Sequence, residues 1–110
     1  MNHIPAWSAV EKSTLNITHG TVPAVWMEKV DHRKTASWGS YLEAKRWREQ
    51  QLKLINRGRF ANAMQMDIMD IKKKFGSKYN QGLREMVVES YERNYINAAE
   101  KDKLLAMICK

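Results

Sequence analysis

From residue 60 onward the apolar residues follow a helical period. Phe60, Met64, Ile68, Ile71 and Phe75 recur at spacings of four, four, three and four, between Gly58 and Gly76. A stripe of large apolar side chains on a 3.6-residue repeat has to be covered by other elements, so this stretch predicts an amphipathic helix in a packed array. Gly76 is its predicted stop.

The neighbouring segments read the same way. Ser40 with Glu43 three residues on has the form of a capping box. It predicts a helix to about Arg57, with Tyr41, Ala44, Trp47 (or the stem of Arg48), Leu52 and Ile55 roughly on one face and Gly58 as the C′ residue. A third helix is predicted from near Ser77 or Asn80, carrying Leu83, Met86 (or Val87) and Tyr91, with Gly82 slightly weakening its first turn. Asn97 with Glu100 forms a second box, introducing a short last helix with Leu104, Leu105 and Ile108. Short turns join these helices, as in a small bundle.

The front of the chain differs. All four tryptophans, all three histidines and both prolines precede residue 48, whereas five of seven methionines follow residue 60. Trp7 to Lys12 suggests a turn or two of helix, and His19-Gly20 a turn. Thr21 to Met27 is β-branched and aromatic, a short strand that Pro23 confines to an edge or a strand start. The expected architecture is α+β: one domain over residues 1–110, with a small N-terminal β element in an active-site region 1–39 and three or four packed helices in 40–110.

Length and composition bound the function. At 110 residues there is room for one modest core, and no apolar run approaches a membrane span. The first residues lack a basic segment followed by an apolar one, so no signal peptide is expected. Cys109 stands alone, which leaves neither an internal disulfide nor a cysteine-based zinc knuckle. Nineteen basic against twelve acidic residues give +7, spread as +4 over residues 1–58 and +3 over 59–110. Such a balance favours a polyanion or an acidic protein partner.

The chemistry concentrates in Val30-Asp31-His32-Arg33-Lys34-Thr35-Ala36-Ser37-Trp38-Gly39-Ser40 and in Asn2-His3-Ile4-Pro5-Ala6. Asp31 and His32 could hold a divalent cation through oxygen and nitrogen, with Arg33 and Lys34 on phosphate oxygens. The same residues also suit a solvated approach to the helix, with Asp31 or Ser37 as its cap. His3 reads either as a general base stiffened by Pro5 or as an idle terminal histidine. His19 carries little functional signal. Lys72-Lys73-Lys74 reads as a solvated face, and Asp67 and Asp70 as solubilising residues.

The order of these motifs resembles the C-terminal toxin domains of bacterial polymorphic toxins of the Rhs and contact-dependent types. The pieces that carry the resemblance are His-Ile-Pro-Ala, then Asp-His-Arg-x-Thr-Ala-Ser-Trp-Gly-Ser, then Arg59 to Ile71 and Lys74 to Tyr79. Among such domains, paired histidine motifs around a short β region look like HNH or His-Me finger nucleases. That likeness implies a ββα-metal site with a divalent ion, Mg²⁺ or Zn²⁺. His3 would be the water-activating base, Asp31, His32 and Asn2 the metal ligands, and Arg33 the phosphate contact. Thr35 and Ser37 would orient the ligands. Two departures stand out: many relatives have adjacent histidines where this chain has Asn2-His3, and the middle asparagine of an HNH motif has no secure match, Asn16 being no more than a candidate.

The expected function is an effector nuclease delivered into a competitor's cytoplasm, cutting DNA rather than RNA, neutralised by an acidic immunity protein and without a membrane partner. Its start two residues before the expected base suggests a domain from the end of a larger protein. The rivals are a non-catalytic nucleic-acid-binding module, using residues such as Lys45, Arg46, Arg48 and Lys72 to Lys74, and an effector with a protein target.

Overall fold

Two helical hairpins and a two-stranded ribbon make up the molecule, in the order β1 (Asn2–His3), α1 (Trp7–Lys12), β2 (Ala24–Val25), α2 (Lys29–His32), α3 (Leu42–Asn56), α4 (Phe60–Phe75), α5 (Asn80–Glu92) and α6 (Ala98–Ile108), with a 3-10 turn at His19–Thr21 before β2. The computed structural model describes residues 1–109. The α+β class is as expected, although the β element is smaller than the Thr21–Met27 segment suggests. β1 and β2 pair antiparallel, Asn2 opposite Val25 and His3 opposite Ala24. Ile4 N–H extends the ladder to the Pro23 carbonyl at 2.8 Å. The strands are not a tight hairpin, since α1 and the 3-10 turn lie between them.

The helices stop where the backbone can turn left-handed. Gly58 has φ 75°; its N–H reaches the Ile55 carbonyl at 3.0 Å while Arg59 N–H reaches Leu54 at 2.8 Å. These two bonds are the Schellman pair that satisfies the last carbonyls of α3. Gly76, at φ 59°, ends α4 as expected. Asn94 takes the same role after α5 at φ 64°, with Asn94 N–H on Tyr91 and Tyr95 N–H on Ser90. The Asn97–Glu100 box forms in full, with both reciprocal bonds at 2.8 Å.

The start of α3 departs from expectation. The helix begins at Leu42 with Tyr41 as N-cap and no side-chain cap, so neither Ser40, Ser37 nor Asp31 caps it. Arg48, from the second turn of α3, instead reaches back: its Nη1 donates to the Ser37 carbonyl at 2.6 Å and to the Gly39 carbonyl at 2.8 Å. Tyr41 is left exposed.

One hydrophobic cluster joins the front of the chain to the helices, from Ile4, Val10 and Val25 through Met64, Ile68 and Leu83 to Ile108. The α4 stripe is buried as expected, with Phe75 partly so. On α5, Leu83, Met86 and Val87 face inward with Ser90, whereas Tyr91 faces out beneath the Lys101 ammonium at 4.3 Å. Gly82 has a packing reason that helix propensity does not reveal. A Cβ there would lie 2.8 Å from Val25 Cγ2, so its absence lets β2 sit close against α5.

A polar contact lies inside this core. Gln51, fully buried, accepts from Ala6 N–H at 3.3 Å and donates to the Ala63 carbonyl at 3.2 Å and to Asp67 Oδ2 at 2.8 Å. Trp47 Nε1 donates to Asp67 Oδ1 at 2.8 Å. Asp67 is therefore no solubilising residue. Burial, outweighing those two hydrogen bonds, pushes its pKa up to about 7, with Asp70 nearby adding to the rise. Asp70 is likewise committed, accepting from Ala36 N–H at 2.7 Å and pairing with Lys74 at 2.7 Å.

Candidate functional site

The motif-rich segment from Glu28 to Ser40 is clasped by the helical body along its length. Asp31 sits on the single turn of α2 and is buried. Its Oδ2 accepts from Lys78 Nζ at 2.7 Å and from the Tyr79 hydroxyl at 2.6 Å. Those hydrogen bonds, Lys78 first and Tyr79 second, hold its carboxyl below the usual range. Tyr79 OH also accepts from Glu28 N–H at 3.1 Å, and Lys78 bridges to Glu28 at 3.2 Å. Beyond α2, Lys74 Nζ donates to the Lys34 carbonyl at 2.7 Å, and Asp70 and Arg48 complete the clasp. The segments Asp31–Ser40 and Arg59–Tyr79 are thus in contact, Asp31, Lys34 and Ala36 meeting Asp70, Lys74, Lys78 and Tyr79. Lys72 to Lys74 is only partly a solvated face, since Lys72 donates to Asn80 Oδ1 at 2.9 Å.

Thr35 and Ser37 are buried within this segment. Thr35 Oγ1 donates to the His32 carbonyl at 2.8 Å, so it does fix the backbone that carries His32. Ser37 contributes its carbonyl to Arg48. Arg33 and Lys34 are exposed beside α2, and Lys45 and Arg46 are exposed on α3. Arg48 is half-buried, with one guanidinium nitrogen committed to the two carbonyls.

The histidines converge from separate elements. His3 on β1 and His19 on the 3-10 turn have ring centroids 4.6 Å apart, and Trp7 stands edge-on to His19 at 4.9 Å. His32, at the end of α2, is close enough for its charge to act on His3. Burial first, then the positive charges of His19, the terminal amine and His32, lower the His3 pKa below 6.5. Burial and the terminal amine lower that of His32 as well. His3 is therefore the neutral imidazole near pH 7. It opens onto a cavity of about 420 Å³ that is also lined by His19, Thr21, Glu89, Ser90 and Arg93. Arg93 is paired with Glu89 through Nη2 at 2.7 Å and Nε at 3.0 Å. Ser90 Oγ is spent on the Met86 carbonyl at 2.8 Å.

Two of the residues expected as metal ligands, Asn2 and Asp31, have other partners in this structure. Asn2 lies next to His3 along β1, where successive side chains point to opposite faces. Its amide donates to Met27 Sδ at 3.3 Å. Asp31 is turned into the Lys78–Tyr79 contact. Among the described residues, no three His, Cys, Asp or Glu side chains gather as a metal site.

His19 and Arg93 are the members that sequence reading passed over. His19-Gly20 looks like turn chemistry, and Arg93 lies at a helix end with no motif around it. His19 reaches His3 through the pairing of β1 with β2, and Arg93 reaches the same cavity through the packing of α5 on β2, neither of which a local signal encodes. The chain matches no protein-family model, no curated protein and no solved structure.

Proposed function

We propose that this chain is a nuclease effector domain that cleaves phosphodiester bonds by histidine acid–base chemistry, with His3 as the base. The observation that carries the proposal is the His3–His19 pair at the wall of a cavity shared with Arg93. Two adjacent imidazoles that differ in burial supply the base and the acid a phosphoryl transfer needs. The toxin role rests on the sequence resemblance and is supported by the charge of +7, which suits both a nucleic-acid target and an acidic immunity protein.

The chemistry that the His3–His19 pair fits best is transesterification of RNA, which carries its own nucleophile. Neutral His3 takes the proton of a 2′-hydroxyl as the O2′–P bond forms. The Arg93 guanidinium faces the charge on the equatorial oxygens. The P–O5′ bond breaks and His19, as the general acid, gives a proton to O5′, leaving a 2′,3′-cyclic phosphate and a free 5′-hydroxyl.

The test is cleavage of labelled RNA and of supercoiled plasmid, each with Mg²⁺, Mn²⁺ or Zn²⁺ and with EDTA, beside His3→Ala, His19→Ala and His32→Ala. Chelator-resistant RNA cleavage lost in His3→Ala and His19→Ala supports the proposal. Chelator-silenced nicking lost in His3→Ala and His32→Ala would replace it with the metal-dependent DNA nuclease. Intact substrates throughout, from folded protein, would overturn the nuclease reading and leave a binding or protein-directed effector.

A further inference from the structure

Where α1 crosses α3, a second cavity of about 230 Å³ shares no residue with the histidine site. Its polar lining is Ser8 and Lys12 from α1 and Lys45, Arg48 and Glu49 from α3. Three cations thus face one carboxylate. Among the described residues, none of the three cations pairs with an acidic group. The Arg48 guanidinium is held by the Ser37 and Gly39 carbonyls, which fix its position without cancelling its charge. A half-buried arginine and two lysines lining one cavity give it an excess of positive charge suited to an anion.

We propose that this cavity is a phosphate-binding subsite. Its volume is below the roughly 300–1,000 Å³ typical of pockets for whole small molecules, so it has room for one anionic group with its waters rather than for a nucleoside. Arg48 supplies a fixed planar donor, Lys12 and Lys45 close over the anion as mobile charges, and the Ser8 hydroxyl is free to donate. The phosphate can belong to a nucleic-acid backbone or be a free ion, since both present the same oxygens.

The subsite does not rest on the nuclease reading, and its test uses a DNA strand that lacks the 2′-hydroxyl. Inorganic phosphate is titrated into the protein with the amide signals of Ser8, Lys12 and Lys45 followed by NMR. A labelled oligothymidylate is then titrated across a range of salt in EDTA. Lys12→Gln/Lys45→Gln is compared with Lys29→Gln/Lys103→Gln, a pair of exposed lysines elsewhere with the same change in charge. Shifts at Ser8, Lys12 and Lys45 are expected with phosphate. If a backbone phosphate is the occupant, the first double variant lowers the salt slope by about 1.4, and affinity at low salt by roughly tenfold, while the second does neither. Phosphate shifts without an effect on the oligonucleotide assign the site to a free anion. No shift at these residues with either ligand, or equal weakening by the two double variants without phosphate shifts, overturns the proposal. The wild-type titration decides the matter even if a variant fails to fold.

Discussion

Raising the pH should cost this protein stability through Asp67, and the size of the effect follows from its surroundings. The side chain is buried against Gln51 and Trp47, and its pKa rises from 3.8 to about 7. Between those values the folded protein binds a proton that the unfolded chain releases. The contribution is therefore complete below about 3.8 and is lost as pH rises through about 7. Over the range from about pH 5 to about pH 8 the loss is about 2–3 kcal/mol. The perturbation is Asp67→Asn, which cannot titrate. Its amide N–H₂ would meet the Trp47 or Gln51 donor, a cost of about 1–3 kcal/mol that stays constant with pH. The assay is urea unfolding of both proteins at several pH values. His3 and His32 act with the opposite sign, their contribution being present above 6.5 and lost as pH falls. They are common to both proteins and cancel in the difference. The advantage of the native protein over the variant should shrink by about 2–3 kcal/mol across the range, roughly 1–2 M in the midpoint difference. A difference constant to within about 0.5 kcal/mol would refute the reasoning, because the two hydrogen bonds would then outweigh desolvation and keep Asp67 ionised.

Gly82→Ala should destabilise by about 1–3 kcal/mol despite the better helix propensity of alanine, because the added methyl meets Val25. Adding Val25→Ala should recover part of that loss in a double-mutant cycle, and simple additivity would disprove the close approach. Arg48→Ala should cost about 1–3 kcal/mol by freeing the Ser37 and Gly39 carbonyls, with faster amide exchange in residues 36–41 as its local signature. Tyr79→Phe should remove about 1–2 kcal/mol and raise the Asp31 pKa, measurable by NMR titration of the carboxyl. RNA cleavage should fall as pH drops below 6.5 through the lowered His3 pKa, and an acid limb above 6.5 in the rate profile would dismiss His3 as the base.

What the chain settles on its own is local. The stripe from Phe60 to Phe75, the glycine stops at Gly58 and Gly76 and the Asn97–Glu100 box all appear where sequence places them. Each depends on residues a few positions apart, through helix periodicity, left-handed glycine or local side-chain to backbone hydrogen bonds. Ser40–Glu43 has the same local form and fails, because Arg48 holds the approach to α3 in another path, with Gly39 at φ 94°.

The placement of polar side chains needed the tertiary structure. Asp67 looks like a solvated acid beside an apolar stripe, and it is buried because Trp47 and Gln51 of the neighbouring helix offer it donors. Asp31 was legible as a chemically loaded residue, but its partners, Lys78 and Tyr79, lie nearly fifty positions away. The concentration of histidines in the front third was visible from the start. That His3 meets His19 was decided by the β1–β2 pairing, which brings β1 beside the turn ahead of β2, since an imidazole's partners are set by three-dimensional proximity rather than sequence spacing.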